Sequence, residues 1–291
     1  MKKTMILLAL VCSFAFIGTT ALAQVRWGHE PGPGLGWSQN YGPGEGGSAC
    51  RIYQPTAWDP FEASWLIGHL VDSSWAGISG QISDLVIDRA NDRIALVILS
   101  DVPHMGNARI AIPYGALQRI GENSFQLNFG DDESSQVPPG FMYLSLYGIP
   151  SRMDSSWVTG VYADYGQTPY WTEEGMKPLS ELSLYEADKL IGAEVQTPEN
   201  KEVAQINDLV INTSDGVVAL VVLSNVPGKA DTLTAVPFSL LSKSSEKTYV
   251  LGTSEDKLAA APSFNEETDM NNVKWAQDDF RYFGQQPCWS E

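Results

Sequence analysis

The chain has 291 residues, 43% of them hydrophobic and 18% charged, and carries a net charge of −17. That is enough apolar material to bury one or two real cores, and too negative a surface for a phosphate backbone or an anionic lipid to be the main partner. Composition therefore argues against a disordered chain, a nucleic-acid binder and a membrane-surface protein.

In chain order, Lys2 and Lys3 lead into an apolar stretch from Met5 to Phe16, which closes on Ala21-Leu22-Ala23 before Gln24. This is the pattern of a Sec-type signal peptide cleaved after Ala23, and the apolar run is shorter than the ~20 residues a spanning helix needs. Residues 1–23 are expected to be removed, leaving a periplasmic or secreted chain that is not an integral membrane protein. Losing Lys2 and Lys3 and no acid takes the net charge from −17 to −19. Cys12 leaves with the signal, so Cys50 and Cys288 remain in a compartment that permits disulfides. A Cys50–Cys288 bridge is expected, with two free thiols or an intermolecular bond as the alternatives. Residues 24–57 hold Gly-Pro-Gly at 32–34 and 42–44 with Trp27, Trp37 and Tyr41 nearby, a composition that makes an extended arm, either a linker or a docking arm.

From residue 61 the chain repeats itself. Residues 61–103 align without a gap on residues 185–227 at an offset of 124, pairing Leu66 with Leu190 and Asp84 with Asp208. The match continues through Ile112-Pro113-Tyr114 against Val236-Pro237-Phe238 and Phe125-Gln126-Leu127 against Tyr249-Val250-Leu251. A second shared block runs from Trp157 to Trp171 and from Trp275 to Trp289, at an offset of 118. The shorter offset means that the connector within the second unit has lost six residues, as a tolerant loop can. The repeating unit is thus a β-rich block, a loop and an aromatic tail, giving units 58–171 and 172–291.

Within the first copy, apolar runs at 80–88 and 93–100 flank a polar turn, and the second copy carries Asp215-Gly216 at the same place, a strong hairpin signal. Apolar residues on both faces of 94–99 predict a strand covered on both sides. Pro113 and Pro237 are expected to end the next strand and open a short helix carrying Leu117 or Leu241; Phe125 and Tyr249 start a last strand. So many short strands in so short a unit suit a small closed barrel.

The order Leu-Ile-Gly, then Ile-x-Asp-Leu-Val-Ile, a turn, an apolar strand ending in Leu-Ser, and Pro-[Tyr/Phe]-x-x-Leu resembles the PRC-barrel family over residues 61–130 and 185–254. The resemblance implies a compact β-barrel used chiefly for protein contacts, with no common catalytic residue. The fold expected is all-β with short helices, two small PRC-like β-barrels in tandem related by a pseudo-twofold.

The repeated carboxylates Asp84 and Asp208 sit in otherwise apolar strands and are read as structural, capping a turn or bulge within each barrel; Glu62 and Glu186 are read as capping the start of the first strand. Asp88, Asp92 and Asp215 fall at hairpin turns, where solvated carboxylates or a weak calcium site are the two readings; calcium-loop spacing is absent. His29, His69 and His104 are not repeated and form no metal spacing, and no nucleophile elbow or phosphate loop occurs, so neither a catalytic residue, a metal nor a cofactor is assigned. Tyr162, Tyr165, Tyr170 and Trp171, with Phe280, Phe283 and Trp289, either seal a barrel core or form a partner surface. The function expected is a non-enzymatic interaction or scaffold protein whose partner is another protein, the alternative being a binding protein for a small ligand or cation that uses the cleft between copies. His69, Trp75 and His104 occur in the first copy alone, so a specialised site is expected there.

Overall fold

The computed structural model describes residues 57–72, 79–103, 106–121, 124–127, 149–150, 153–180, 184–229, 232–245, 247–264, 270–287 and 289; the expected signal segment and all but the last residue of the expected arm, with His29 and Cys50, lie outside the described residues, as do Trp75, His104 and Cys288. The first repeat contains β1 (Pro60–Glu62), α1 (Ala63–Leu66), β2 (Leu70–Asp72), β3 (Gly80–Asp88), β4 (Arg93–Ser100), β5 (Ile110–Pro113), β6 (Leu117–Gly121), β7 (Ser124–Leu127) and the tail helix α2 (Ser155–Asp164). The second runs through β8 (Leu184–Glu186), α3 (Ala187–Leu190), β9 (Glu194–Gln196), β10 (Glu202–Asn212), β11 (Val217–Ser224), β12 (Thr234–Pro237), β13 (Leu241–Lys243), β14 (Thr248–Leu251), α4 (Glu255–Ala259) and the tail helix α5 (Val273–Tyr282). The chain is mostly β with a few short helices, and no helix among the described residues is long and apolar enough to cross a membrane.

The β3–β4 hairpin spans the two apolar runs and turns where the polar residues fall. Every residue of β4 from Arg93 to Leu99 is buried, because β3 pairs with it on one side and β5 on the other while other elements cover both faces. The two hairpins turn through left-handed residues, Asp92 at φ 50° and Gly216 at φ 76°. A Cβ on Gly216 would stand 2.7 Å from the ring of Tyr114, so this turn needs glycine for close approach as well as for conformation. After Pro113 and Pro237 the chain makes one 3-10 turn, and Leu117 and Leu241 begin the next strand instead of sitting on a helix.

Among the described residues, all fourteen strands belong to one sheet, ordered β13-β14-β9-β10-β11-β4-β3-β2-β7-β6, with β12, β5, β1 and β8 branching from it. The sheet does not close into a barrel, contrary to the expectation from strand number. Its two repeats are instead completed by each other. The lead-in strand β1 of the first repeat pairs with β10 of the second, Pro60 to Asn212 through Glu62 to Val210. Reciprocally, β8 of the second repeat pairs with β3 of the first, Val86 to Glu186 through Asp88 to Leu184. The edge of β3 beyond its pairing with β2 is therefore taken by a strand from the other repeat. At the centre β4 meets β11, where the Ile94 N–H donates to Gly216 O and the Val218 N–H to Asp92 O. One apolar core runs through both repeats, with Leu66, Ile82, Leu96 and Ile98 from the first continuous with Leu190, Leu209, Phe238 and Tyr249 from the second.

Candidate functional site

Each exchanged strand runs into a four-residue helix whose first turn faces a buried aspartate of the other repeat. Asp84 and Asp208 both sit at β-bulges, where the register shifts between Ile82 and Asp84 and between Ile206 and Asp208. In both, Oδ1 accepts the N–H of the next residue, Leu85 or Leu209, at 2.7 Å, which fixes the carboxylate against its own bulge. The same oxygen then accepts an N–H from the opposite helix: Ser64 to Asp208 at 3.1 Å and Asp188 to Asp84 at 3.2 Å. Each repeated carboxylate, expected to cap a turn or bulge within one barrel, thus accepts from its own bulge and also from the short helix of the other repeat, clasping the two together. Glu62 and Glu186 occupy the N-cap positions of the two short helices, yet neither side chain makes a capping bond.

The two clasps differ at the remaining oxygen. At Asp208, the Ser64 hydroxyl donates to Oδ2. At Asp84, Oδ2 is buried without a hydrogen-bond donor, and the nearest cation, Arg109, lies 3.9 Å away. Where the first repeat has Ser64 the second has Asp188, and the carboxylate oxygens of Asp84, Glu186 and Asp188 come within 4.8 Å of one another. Glu186 also pairs with Lys189. Burial pushes the Asp84 carboxyl up to about 6, with repulsion from Asp188 adding to it and the two backbone N–H bonds opposing. Glu62 is raised for the same two reasons, desolvation first and the charge of Asp208 second.

Asp88 and Asp92 are not solvated turn residues, because the second repeat packs over their hairpin. Asp88 is fully buried and accepts from Ala90 N, Asn91 Nδ2 and the Tyr170 hydroxyl. Asp92, pushed up to about 6 by burial, pairs with Arg89, whose guanidinium also reaches Leu241 O and Ser239 O across the junction. Asp215 accepts from Val217 N at its own turn.

The aromatic tails are core elements. Tyr162, Tyr165, Phe280, Phe283 and Trp289 are buried, and Tyr170 and Trp171 half-buried. The Tyr162 hydroxyl donates to Ala95 O on β4, and Tyr162 packs edge-on against Trp171. Trp289 stacks between Phe280 and Trp58, so the second tail also seals the segment that leads into the first repeat. Of the two readings above, core sealing or a partner surface, the buried rings are engaged in packing, and Tyr170 and Trp171 in part.

Residues 183–258, from just before β8 to within α4, match the family model of the PRC-barrel domain. A PRC-barrel domain is present there. No curated protein matches the chain.

Set beside this PRC-barrel domain, the first repeat has a different outer face. Trp65, His69, Leu70 and Ile120 stand where the domain has Lys189, Ala193, Glu194 and Ser244. Leu70 is 71% exposed and Ile120 55%, both at the β2–β7–β6 end of the sheet. His69 stacks on Trp65 at 3.7 Å with Nδ1 at 2.7 Å from Trp65 O, and Phe61 stacks on the same indole at 4.6 Å. His69 is thereby held as part of an aromatic ledge. Sequence reading picked out His69 as unshared but missed Trp65, Leu70 and Ile120, and missed the Ser64/Asp188 exchange; a position-by-position comparison of the copies contains all of them. An open depression of about 760 Å³ lies along the β11–β12 connection beside Asn225, Lys229 and Thr232, within the second repeat and not in a cleft between the two.

Proposed function

We propose that the first repeat is a second, diverged PRC-barrel module related to the first-named domain by a pseudo-twofold, and that the chain is a non-enzymatic, exported interaction protein. The reciprocal strand exchange supports a rigid two-module body. The observation that carries the interaction reading is the apolar ledge of the first repeat: two large aliphatic side chains, Leu70 on β2 and Ile120 on β6, are exposed at one end of the sheet, at positions where the other module is polar. Large aliphatic side chains exposed together at one end of a sheet suit a docking surface. The strongly acidic chain around it suits a partner protein with an apolar contact rimmed by lysine or arginine.

The test replaces Leu70 by Glu and Ile120 by Ser, the residues of the second repeat. Full-length protein is immobilised and exposed to the exported fraction of its own host. A polypeptide retained in stoichiometric amount by the native chain and reduced at least ten-fold on the double variant, with melting temperature unchanged, is the expected result. Equal retention by both proteins, or no stoichiometric retention, overturns the reading.

A further inference from the structure

The first junction holds a carboxylate that its surroundings leave incomplete. The Asp84 side chain is 1% exposed, and its Oδ2 has no hydrogen-bond donor. A buried carboxylate oxygen without a donor or counter-charge in contact is costly, and the fold meets that cost at the other junction with the Ser64 hydroxyl. At the first junction the equivalent position brings a second carboxylate, Asp188, and Glu186 brings a third. Arg109, 3.9 Å from Asp84 on a side chain 43% exposed, and Lys189, 63% exposed and paired with Glu186, are the cations that a bound ion would displace toward solvent.

We propose that Asp84, Glu186 and Asp188 form a binding site for a hard divalent cation of the calcium type. The donor set is all carboxylate oxygen, with no imidazole or thiolate to favour zinc or copper. Oxygens on opposite sides of a calcium ion stand about 5 Å apart, and these three fall within 4.8 Å of one another. Asp84 supplies the buried ligand at the floor. Exposed Asp188 and half-buried Glu186 supply the outer ones, and water fills the remaining positions. Because Asp84 belongs to β3 while Glu186 and Asp188 belong to β8 and α3, a cation here pins the exchanged strand of one repeat to the sheet of the other. The inference does not depend on the apolar ledge or its partner.

Full-length protein stripped with chelator is titrated with calcium chloride by calorimetry, and its melting temperature is recorded with calcium or with sodium chloride of equal ionic strength. Asp188→Ser installs the residue that the other junction already tolerates. Glu186→Gln removes one carboxylate charge from the site and leaves the Asp84 hydrogen bonds intact, so it decides the matter if the first variant folds poorly. Binding by the native chain, a rise of several degrees in melting temperature with calcium alone, and at least ten-fold weaker binding in the variants are expected. No calcium-specific rise in the native chain, or an equal response in native chain and variants, overturns the proposal.

Discussion

The two junctions between the repeats are built on the same backbone and differ in what completes the buried aspartate. At Asp208 a neutral hydroxyl does so, and the clasp is self-sufficient. At Asp84 the neighbour is a carboxylate, and the same clasp is left electrostatically open. What the two share, the bulge, the N–H bonds and the exchanged strand, is architecture. What differs at the clasp is Ser64 against Asp188, with Leu233 against Arg109 beside it, and on the proposed cation reading that difference turns a structural contact into a binding site. The outer faces follow the same rule, with the shared Leu66 and Leu190 buried and the unshared Trp65 and Leu70 presented.

The largest expected effect tests whether the closed junction is as self-sufficient as its geometry implies. Asp208→Ala leaves the Ser64 and Leu209 N–H groups and the Ser64 hydroxyl without their acceptor, and costs about 3 kcal/mol in urea denaturation. A loss below about 1 kcal/mol would break the comparison, since the clasp would then carry little of the contact between repeats.

The tails extend the comparison, because the second has Asp279 where the first has Val161. Asp279 is buried on α5 with Oδ2 lacking a partner, and burial pushes its carboxyl from the ordinary 3.8 to about 8, with Lys229 opposing. Lys229 spends its ammonium on Thr234 Oγ1, Ala261 O and Pro262 O instead of on the carboxylate. An acid whose folded pKa lies above its unfolded one contributes stability that is whole below about pH 4 and is lost as pH rises through about 8. Asp279→Val should therefore melt higher than the native chain, by an advantage that grows across that window as the pH rises. A pH-independent difference would show that Asp279 is not the group responsible.

The hairpin limits were legible in the sequence because two runs rich in isoleucine, valine and leucine are separated by a short, mostly polar stretch, and the two copies marked the same turn independently. The exchanged strands were not legible. Pro60–Glu62 and Leu184–Glu186 are three residues each, and alternation over so short a span carries no information about which edge a strand joins. Closure was overestimated for the same reason: counting strands does not reveal that the free edge of β3 is filled from the other repeat. The burial of Asp88 and Asp92 followed from that packing and so was also hidden. Asp84 and Asp208 could be recognised as equivalent positions from their repetition. The meaning of Ser64 against Asp188 could not, because the two look like surface variation until the helix carrying each is placed over the other repeat's aspartate.

The smallest expected effect is also the sharpest test of the contrast between junctions. Ser64→Asp in the full chain gives the closed junction the side chain of the open one, next to Glu62 and Asp208. It removes the hydroxyl donor and adds a like charge, at an expected cost of about 1–2 kcal/mol in chelator. Ser64 is exposed and its main-chain bond to Asp208 remains, so the fold should hold. If one side chain separates a clasp from a cation site, calcium should recover most of that loss, and calorimetry should register a second equivalent of ion. Recovery need not equal that of the native site, since Leu233 stands where the first junction has Arg109 and the new site lacks a competing guanidinium. A variant destabilised equally with and without calcium would mean that position 64 or 188 is not sufficient, and that the opening at Asp84 depends on groups beyond the three carboxylates.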